Sequence, residues 1–292
     1  MTVLRPHSSA ASENAPGYRA IRWNMDWITR PLFGFVLAGV AIWSLFYSSN
    51  FFSGMVVVIT ILAAYEWHRM VGASPPYLVE TAVTSMTAAV AVIILLMLRQ
   101  TWPSLLTVAI GAVVAFAIAR NRHQNPVWQA LGVIYLGLPA LALVSLRVFE
   151  ARGASVIVGL FLIVWATDTG ALIFGNLIGG PRMAPILSPS KTWAGTIGGS
   201  LTAALVFGLY ILLLNDVFWM PALFALFFSI VAHVGDLFES FVKRRFGIKN
   251  SGALIPGHGG VLDRMDSTIF ASVALVLLVF GAHFNLLFGV AS

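Results

Sequence analysis

Apolar runs that read as membrane spans recur nine times in this chain, the first two of them short, at about 32–47, 51–66, 78–98, 102–119, 127–146, 155–178, 193–214, 217–241 and 267–288. A segment that crosses hydrocarbon must satisfy its backbone hydrogen bonds internally, so only helices or a closed barrel can do it, and runs of this length select helices. Composition agrees: 59% of residues are hydrophobic and 10% are charged, against about a quarter in soluble domains. The expected fold class is therefore all-α, a polytopic membrane protein with about nine transmembrane helices.

Orientation follows from the positive residues. Fourteen of the seventeen Lys and Arg fall in alternate connections: Arg5, Arg19, Arg22 and Arg30; Arg69; Arg120 and Arg122; Arg182 and Lys191; then Lys243, Arg244, Arg245, Lys249 and Arg264. The other set holds only Arg99, Arg147 and Arg152. The positive-inside rule then puts the N-terminus and the segment 240–266 in the cytoplasm, with the chain in the cell's inner (plasma) membrane. Positive charge scattered over short loops is a topology signal, so the pI of about 10.1 does not point to nucleic acid. The absence of cysteine removes disulfides and thiolate metal sites from consideration.

Three regions follow: a polar cytoplasmic tail, 1–30; a scaffold of transmembrane helices, 31–150; and a catalytic region, 151–292. The first two spans, joined by Ser48, Ser49 and Asn50, should form a tight hairpin. Acidic residues separate the last two regions. Asp168, Asp236, Glu239, Asp263 and Asp266 lie in or beside the last four spans, whereas the first five carry Glu66, Glu80 and Glu150 only near their ends.

Asp168 sits within the sixth span, in WATDTGALIFG, where a carboxylate costs about 2.5–3.5 kcal/mol on insertion scales and should face a polar cavity or a cation. A helix-bonded structural aspartate is the plainer reading. Asp236, Glu239, Ser240 and Lys243 fall at i, i+3, i+4 and i+7, on one helix face. Such a stripe can share a hard cation or form a salt-bridge ladder. Asp263 and Asp266 repeat the i, i+3 spacing where the ninth helix begins, a place that also suits simple capping.

Between the two acidic pairs, PGHGG at 256–260 lets backbone amides approach phosphate oxygens, and His258 can donate to a phosphate or bind metal. Upstream, SPSKTWAGTIGG places Lys191 and Thr192 where the seventh helix starts, so an ammonium and free amides can hold a triphosphate. Interfacial anchoring by Lys191 and Trp193 is the alternative. Gly195 and Gly199 form a GxxxG pair that reads as helix packing. Carboxylates, cations and glycine turns beside lipid suit phosphoryl or nucleotidyl transfer onto a lipid phosphate.

The segment from Ser240 to Asp266 resembles the signature of the phosphatidate cytidylyltransferases. It matches at Ser240, Lys243, Arg244, Lys249, Gly252, Pro256, His258, Gly259, Gly260, Asp263, Arg264 and Asp266, and the likeness extends to GDLFES, DTGA and SPSKTW. The resemblance implies that CTP and phosphatidate react to give CDP-diacylglycerol and pyrophosphate, with Mg²⁺ required. It implies Asp236, Asp263 and Asp266 as metal ligands with Asp168 next, and Lys191, Lys243, Arg244 and Arg264 on phosphates. His258 would orient the leaving pyrophosphate. Thr192, Ser240, Lys249, Asn250, Gly259 and Gly260 complete the expected substrate-binding set, and a homodimer is implied. One position departs: Asn250 stands where the family usually has Asp, which weakens a second cation site or changes its ion. Two other readings remain open. One is a CTP-dependent polyprenol or phytol-type lipid kinase; the other is a cation-coupled transporter, suggested by Asp168 in a Gly-interrupted helix.

Overall fold

The computed structural model describes residues 26–72, 75, 77–215, 219–252, 254 and 259–281. Nine helices run through them: α1 (Asp26–Tyr47), α2 (Ser49–Val71), α3 (Leu78–Leu98), α4 (Thr101–Asn121), α5 (Pro126–Phe149), α6 (Gly153–Leu177), α7 (Trp193–Asn215), α8 (Trp219–Arg245) and α9 (Leu262–Gly281). Seven of these, α2 to α8, are long and apolar enough to cross a membrane. The protein is thus an all-α, multi-pass membrane protein. Leu172, Leu177, Leu213 and Leu223 are exposed, as expected where lipid replaces water against the outer surface.

The helices overrun the apolar runs that predict them, because helical hydrogen bonding continues into polar sequence beyond the hydrocarbon. α1 already includes residues 26–30, assigned above to the tail. α8 continues to Arg245, so Glu239 and Lys243 are helical and on one face as expected. The hairpin of α1 and α2 is tighter than the sequence suggests. A single residue, Ser48, separates the two helices and caps α2 by accepting from the Phe51 amide at 3.0 Å.

Lys191 and Thr192 stand immediately before α7, as the sequence predicts, but on an element that the sequence reading does not include. They lie on a short strand: β1 (Arg182–Ala184) pairs antiparallel with β2 (Ser188–Thr192), forming a hairpin between α6 and α7. Prolines at 181, 185 and 189 disfavour helix here, leaving extended backbone as the remaining option.

Glycine sets how the site helices meet. Gly199 and Gly195 of α7 face α6 so closely that an added Cβ would lie 2.5 Å from the Thr167 carbonyl and 2.8 Å from that of Ala171. The GxxxG pair is therefore a packing device, as its spacing suggests. On α8, a Cβ at Gly235 would lie 2.6 Å from the Asp266 carbonyl, so this glycine brings α9 against α8 at the level of Asp236.

A large buried cluster runs along the bundle, and a second one gathers where α2, α5, α8 and α9 meet. The second contains Ala63, Ala64, Trp67, Tyr135, Val242, Leu262 and Ile269. An aromatic relay passes through it, from Trp67 to Tyr135 at 4.8 Å between ring centroids, Tyr135 to Phe238 at 5.3 Å and Phe238 to Phe270 at 5.4 Å. The relay ties the scaffold to the two helices that carry the acidic pairs.

Candidate active site

The site is assembled at one end of the bundle, from the C-terminal turns of α8, the first turns of α9, the middle of α6 and the β hairpin. Lys243 stands at its centre. Its ammonium lies 2.8 Å from Asp263 Oδ1 and 3.3 Å from Glu239 Oε1, joining the two helices. Two helix turns from Lys243, Asp236 is paired with Lys191 from β2 and accepts from Ser240 Oγ at 3.4 Å. The ladder reading of the α8 stripe is therefore realised, and it extends beyond the helix, since Lys243 also reaches Asp263 of α9 and Asp236 pairs with Lys191 of β2.

Asp168, Asp236 and Asp266 share one electrostatic neighbourhood, in which Lys191 and Arg264 also act on Asp168. Asp168 lies on α6 with part of its surface exposed. Glu239 is fully buried beside Asp266, and neither of its oxygens reaches a hydrogen-bond partner of normal geometry. Four carboxylates gathered this way repel one another unless cations balance them.

This arrangement sits in a chain whose residues 28–281 match the sequence model of the Cytidylyltransferase family. The chain belongs to that family. Phosphatidate cytidylyltransferases of Brucella suis biovar 1 (strain 1330) and Brucella abortus (strain 2308) are each 38% identical to it over 262 residues, covering 88% of this chain and 93% of theirs. That of Staphylococcus aureus (strain COL) is 33% identical over 210 residues, covering 68% of this chain and 80% of its own. As a member of the cytidylyltransferase family the protein is a nucleotidyltransferase, so the crowded carboxylates and lysines are to be read against a nucleotide and its phosphates.

Other residues of this cytidylyltransferase-family site have local structural duties as well. Asp263 Oδ1 accepts from Lys243 and from the Ser251 amide at 3.2 Å, and its Oδ2 accepts from the Gly260 amide at 3.0 Å. Burial alone would raise the Asp263 carboxyl, but the Lys243 ammonium and the Gly260 and Ser251 amides hold it below the usual carboxylate range. Gly259, at φ +87°, supplies the left-handed turn leading to that amide.

Arg244 spends its guanidinium on backbone. It donates to the Leu187 carbonyl at 3.2 Å and the Ile248 carbonyl at 3.4 Å, fastening the β hairpin to the end of α8. Thr192 Oγ1 accepts from the Gly195 amide at 3.1 Å, so this hydroxyl caps α7 and takes up one of the amides expected to be free for phosphate. Lys249, Asn250 and Arg264 are exposed on the segment that follows α8 and at the start of α9. His258 lies outside the described residues.

The donors suit a hard divalent cation in kind, since all are carboxylate oxygens and both buried oxygens of Glu239 lack a hydrogen-bond partner. Among the described residues, however, no three His, Asp or Glu side chains are drawn together closely enough to hold one ion between them. Asp236 faces Lys191 and Asp263 faces Lys243. A cavity of about 890 Å³ lies elsewhere, lined by Leu95, Trp102, Leu138, Phe149, Leu277 and other residues, none of them in the sequence-derived site.

Sequence reasoning missed one residue with a direct hold on the site. Glu66 of α2, read only as the end of a span, accepts from the Leu262 amide at 2.9 Å and from Ser251 Oγ at 3.2 Å. The available signal was a glutamate within a transmembrane run, AAYEWH, where a charged side chain is seldom buried without a partner.

Proposed function

We propose that this chain transfers the cytidylyl group of CTP to phosphatidate, giving CDP-diacylglycerol and pyrophosphate, as a step of phospholipid biosynthesis on the cytoplasmic side of the inner (plasma) membrane. The observation that carries the reading is the joining of Lys191 and Lys243 to the acidic pairs of α8 and α9 in a family member whose relatives bear that activity. The orientation rests on the positive residues alone.

In the reaction a non-bridging oxygen of the phosphatidate phosphate forms a bond to the α-phosphorus of CTP, while the bond from that phosphorus to the oxygen bridging to the β-phosphorus breaks. Pyrophosphate leaves with that electron pair. The nucleophile is already an anion, so the protein's task is to align two polyanions and offset their charge. Lys191, Lys243 and Arg264 supply positive charge. Lys191 and Lys243 would exchange some of their pairing with Asp236 and Asp263 for substrate phosphates. Arg244 and the Thr192 hydroxyl keep the hairpin and α7 in place behind them.

Mg²⁺ would be held by Asp236 and Asp266, with Asp263 and Asp168 adjoining and Asn250 offering a neutral oxygen toward a second cation. When bound it adds positive charge across the phosphate oxygens that cross the transition state.

The test is turnover by purified protein with CTP labelled in its cytosine and in its γ-phosphate, phosphatidate and Mg²⁺. Labelled pyrophosphate together with labelled CDP-lipid supports the proposal. CDP with a phosphorylated lipid would make it a lipid kinase, and no CTP consumption with cation-dependent uptake would make it a transporter.

A further inference from the structure

We propose that Glu66 is a positioning residue: from α2, outside the signature, its carboxylate clamps both ends of segment 251–262 and fixes the height of α9, and with it Asp266. The functional half of this proposal rests on the cytidylyl-transfer reading. The clamp itself is a matter of geometry.

Glu66 is 1% exposed, and its Oε2 receives two donors from opposite ends of the segment, Ser251 Oγ and the Leu262 amide. Leu262 is the first residue of α9, so its amide is one of those without a partner inside the helix, and the positive end of the helix dipole faces the carboxylate. Two glycines of the segment, Gly252 and Gly260, are shaped to this group. A Cβ at Gly252 would lie 2.3 Å from Glu66 Oε1, and one at Gly260 would lie 2.6 Å from Oε2 and 2.1 Å from Ser251 Oγ. These two glycines are needed because a carboxylate occupies the space a side chain would take.

Asp263 binds the same two ends through the amides of Ser251 and Gly260. The segment is therefore pinned by two carboxylates, one from its own helix and one from the scaffold. An apolar side chain at 66 would fill the volume without the desolvation cost of a buried charge, and what it lacks is a directional hold on α9. That hold has catalytic reach. Asp266 must stay beside Glu239 and Asp236, and misplacing a reacting group by about an ångström can cost about a hundred-fold in rate.

The chain has no cysteine, so one introduced thiol reports alone. Val261→Cys places it 7% exposed beside Leu262, and Ala91→Cys, fully buried in the N-terminal bundle, serves as a separate control. In detergent-purified protein, Glu66→Ala is expected to speed maleimide labelling at position 261 by about ten-fold or more while position 91 stays unlabelled. Glu66→Gln, which keeps the volume and one acceptor, should fall between. With the native thiol-free chain, Glu66→Ala should lower kcat for CDP-lipid about ten-fold or more and leave KM for CTP within about three-fold.

Gly252→Ala should be severe with Glu66 present and nearly silent in the Glu66→Ala background, because the colliding group is gone. Unchanged labelling at 261, or an equal cost of Gly252→Ala in both backgrounds, would overturn the clamp. If Glu66→Ala exposes position 91 as well, the same readings on Glu66→Gln decide the matter. Absence of CTP turnover in the native chain would sink the cytidylyl-transfer reading alone, with the labelling result still reporting on Glu66.

Discussion

The two halves of this protein both bury charged and polar groups, but they compensate them differently. In the N-terminal half the buried ionisable side chains Glu80 and His68 each meet a partner suited to them. Glu80, fully buried, is bonded to Arg122 at 3.0 Å, while His68 sits between Thr84 at 2.6 Å and Gln129. In the C-terminal half, Asp168, Asp236, Glu239 and Asp266 crowd together, and the available lysines are shared among them. Paired polar groups hold helices in place, whereas a surplus of one sign is a cost the fold retains for a ligand of the other sign or for phosphates delivered with cations.

The largest expected effect sharpens that contrast. Asp266→Asn should cut turnover by at least about a hundred-fold, as loss of a group acting on transition-state charge does. It should leave thermal stability equal or higher, since one like charge leaves the crowd. A parallel fall in stability would place Asp266 with the paired, structural acids instead. Glu80→Gln should do the opposite, costing about 1–3 kcal/mol of stability through the half-lost bond to Arg122 while turnover per folded molecule stays unchanged. Reduced turnover at full stability would erase the distinction between the halves.

Asp263 belongs to both descriptions and can be separated by pH. Its folded carboxyl lies below the ordinary range, so it contributes stability that is complete above about pH 4, the unfolded value, and is lost as pH falls through the lower folded value. The stability gap between the native chain and Asp263→Asn should accordingly shrink below about pH 4. A gap independent of pH across that range would show that charge on Asp263 does not hold the segment. The smallest effect is expected of Asn250→Asp, which should keep or modestly raise turnover and shift its dependence on Mg²⁺ concentration. An inactive variant would show that an aspartate is not accepted at this position of the chain.

Legibility from sequence followed the range of each interaction. The α8 stripe was readable because four residues within one helix share a face by spacing alone, and the structure keeps them there. Likewise, the close packing of Gly195 and Gly199 on α6 was visible as a GxxxG pair. The β hairpin was not foreseen. Its strands are three and five residues long, too short for an alternating pattern to show in a segment that carries three prolines. The partners of Lys191 and Lys243 could not be chosen from sequence either. Several acids were in reach by composition, and only the meeting of hairpin, α8 and α9 selects Asp236 for one and Asp263 with Glu239 for the other.

By itself the sequence determined that the chain crosses a membrane as helices, which half gathers the acidic residues beside its spans, and which family it resembles. These are properties of composition, of periodicity within a helix and of one long motif. The tertiary structure decided what the charged groups do, because an ion pair or a trans cap depends on which helix ends lie side by side. Glu66 is the clearest case. It stands 185 residues from Ser251 and 196 from Leu262, and it meets them only because the aromatic relay and glycine contacts pack α2, α5, α8 and α9 together at one end.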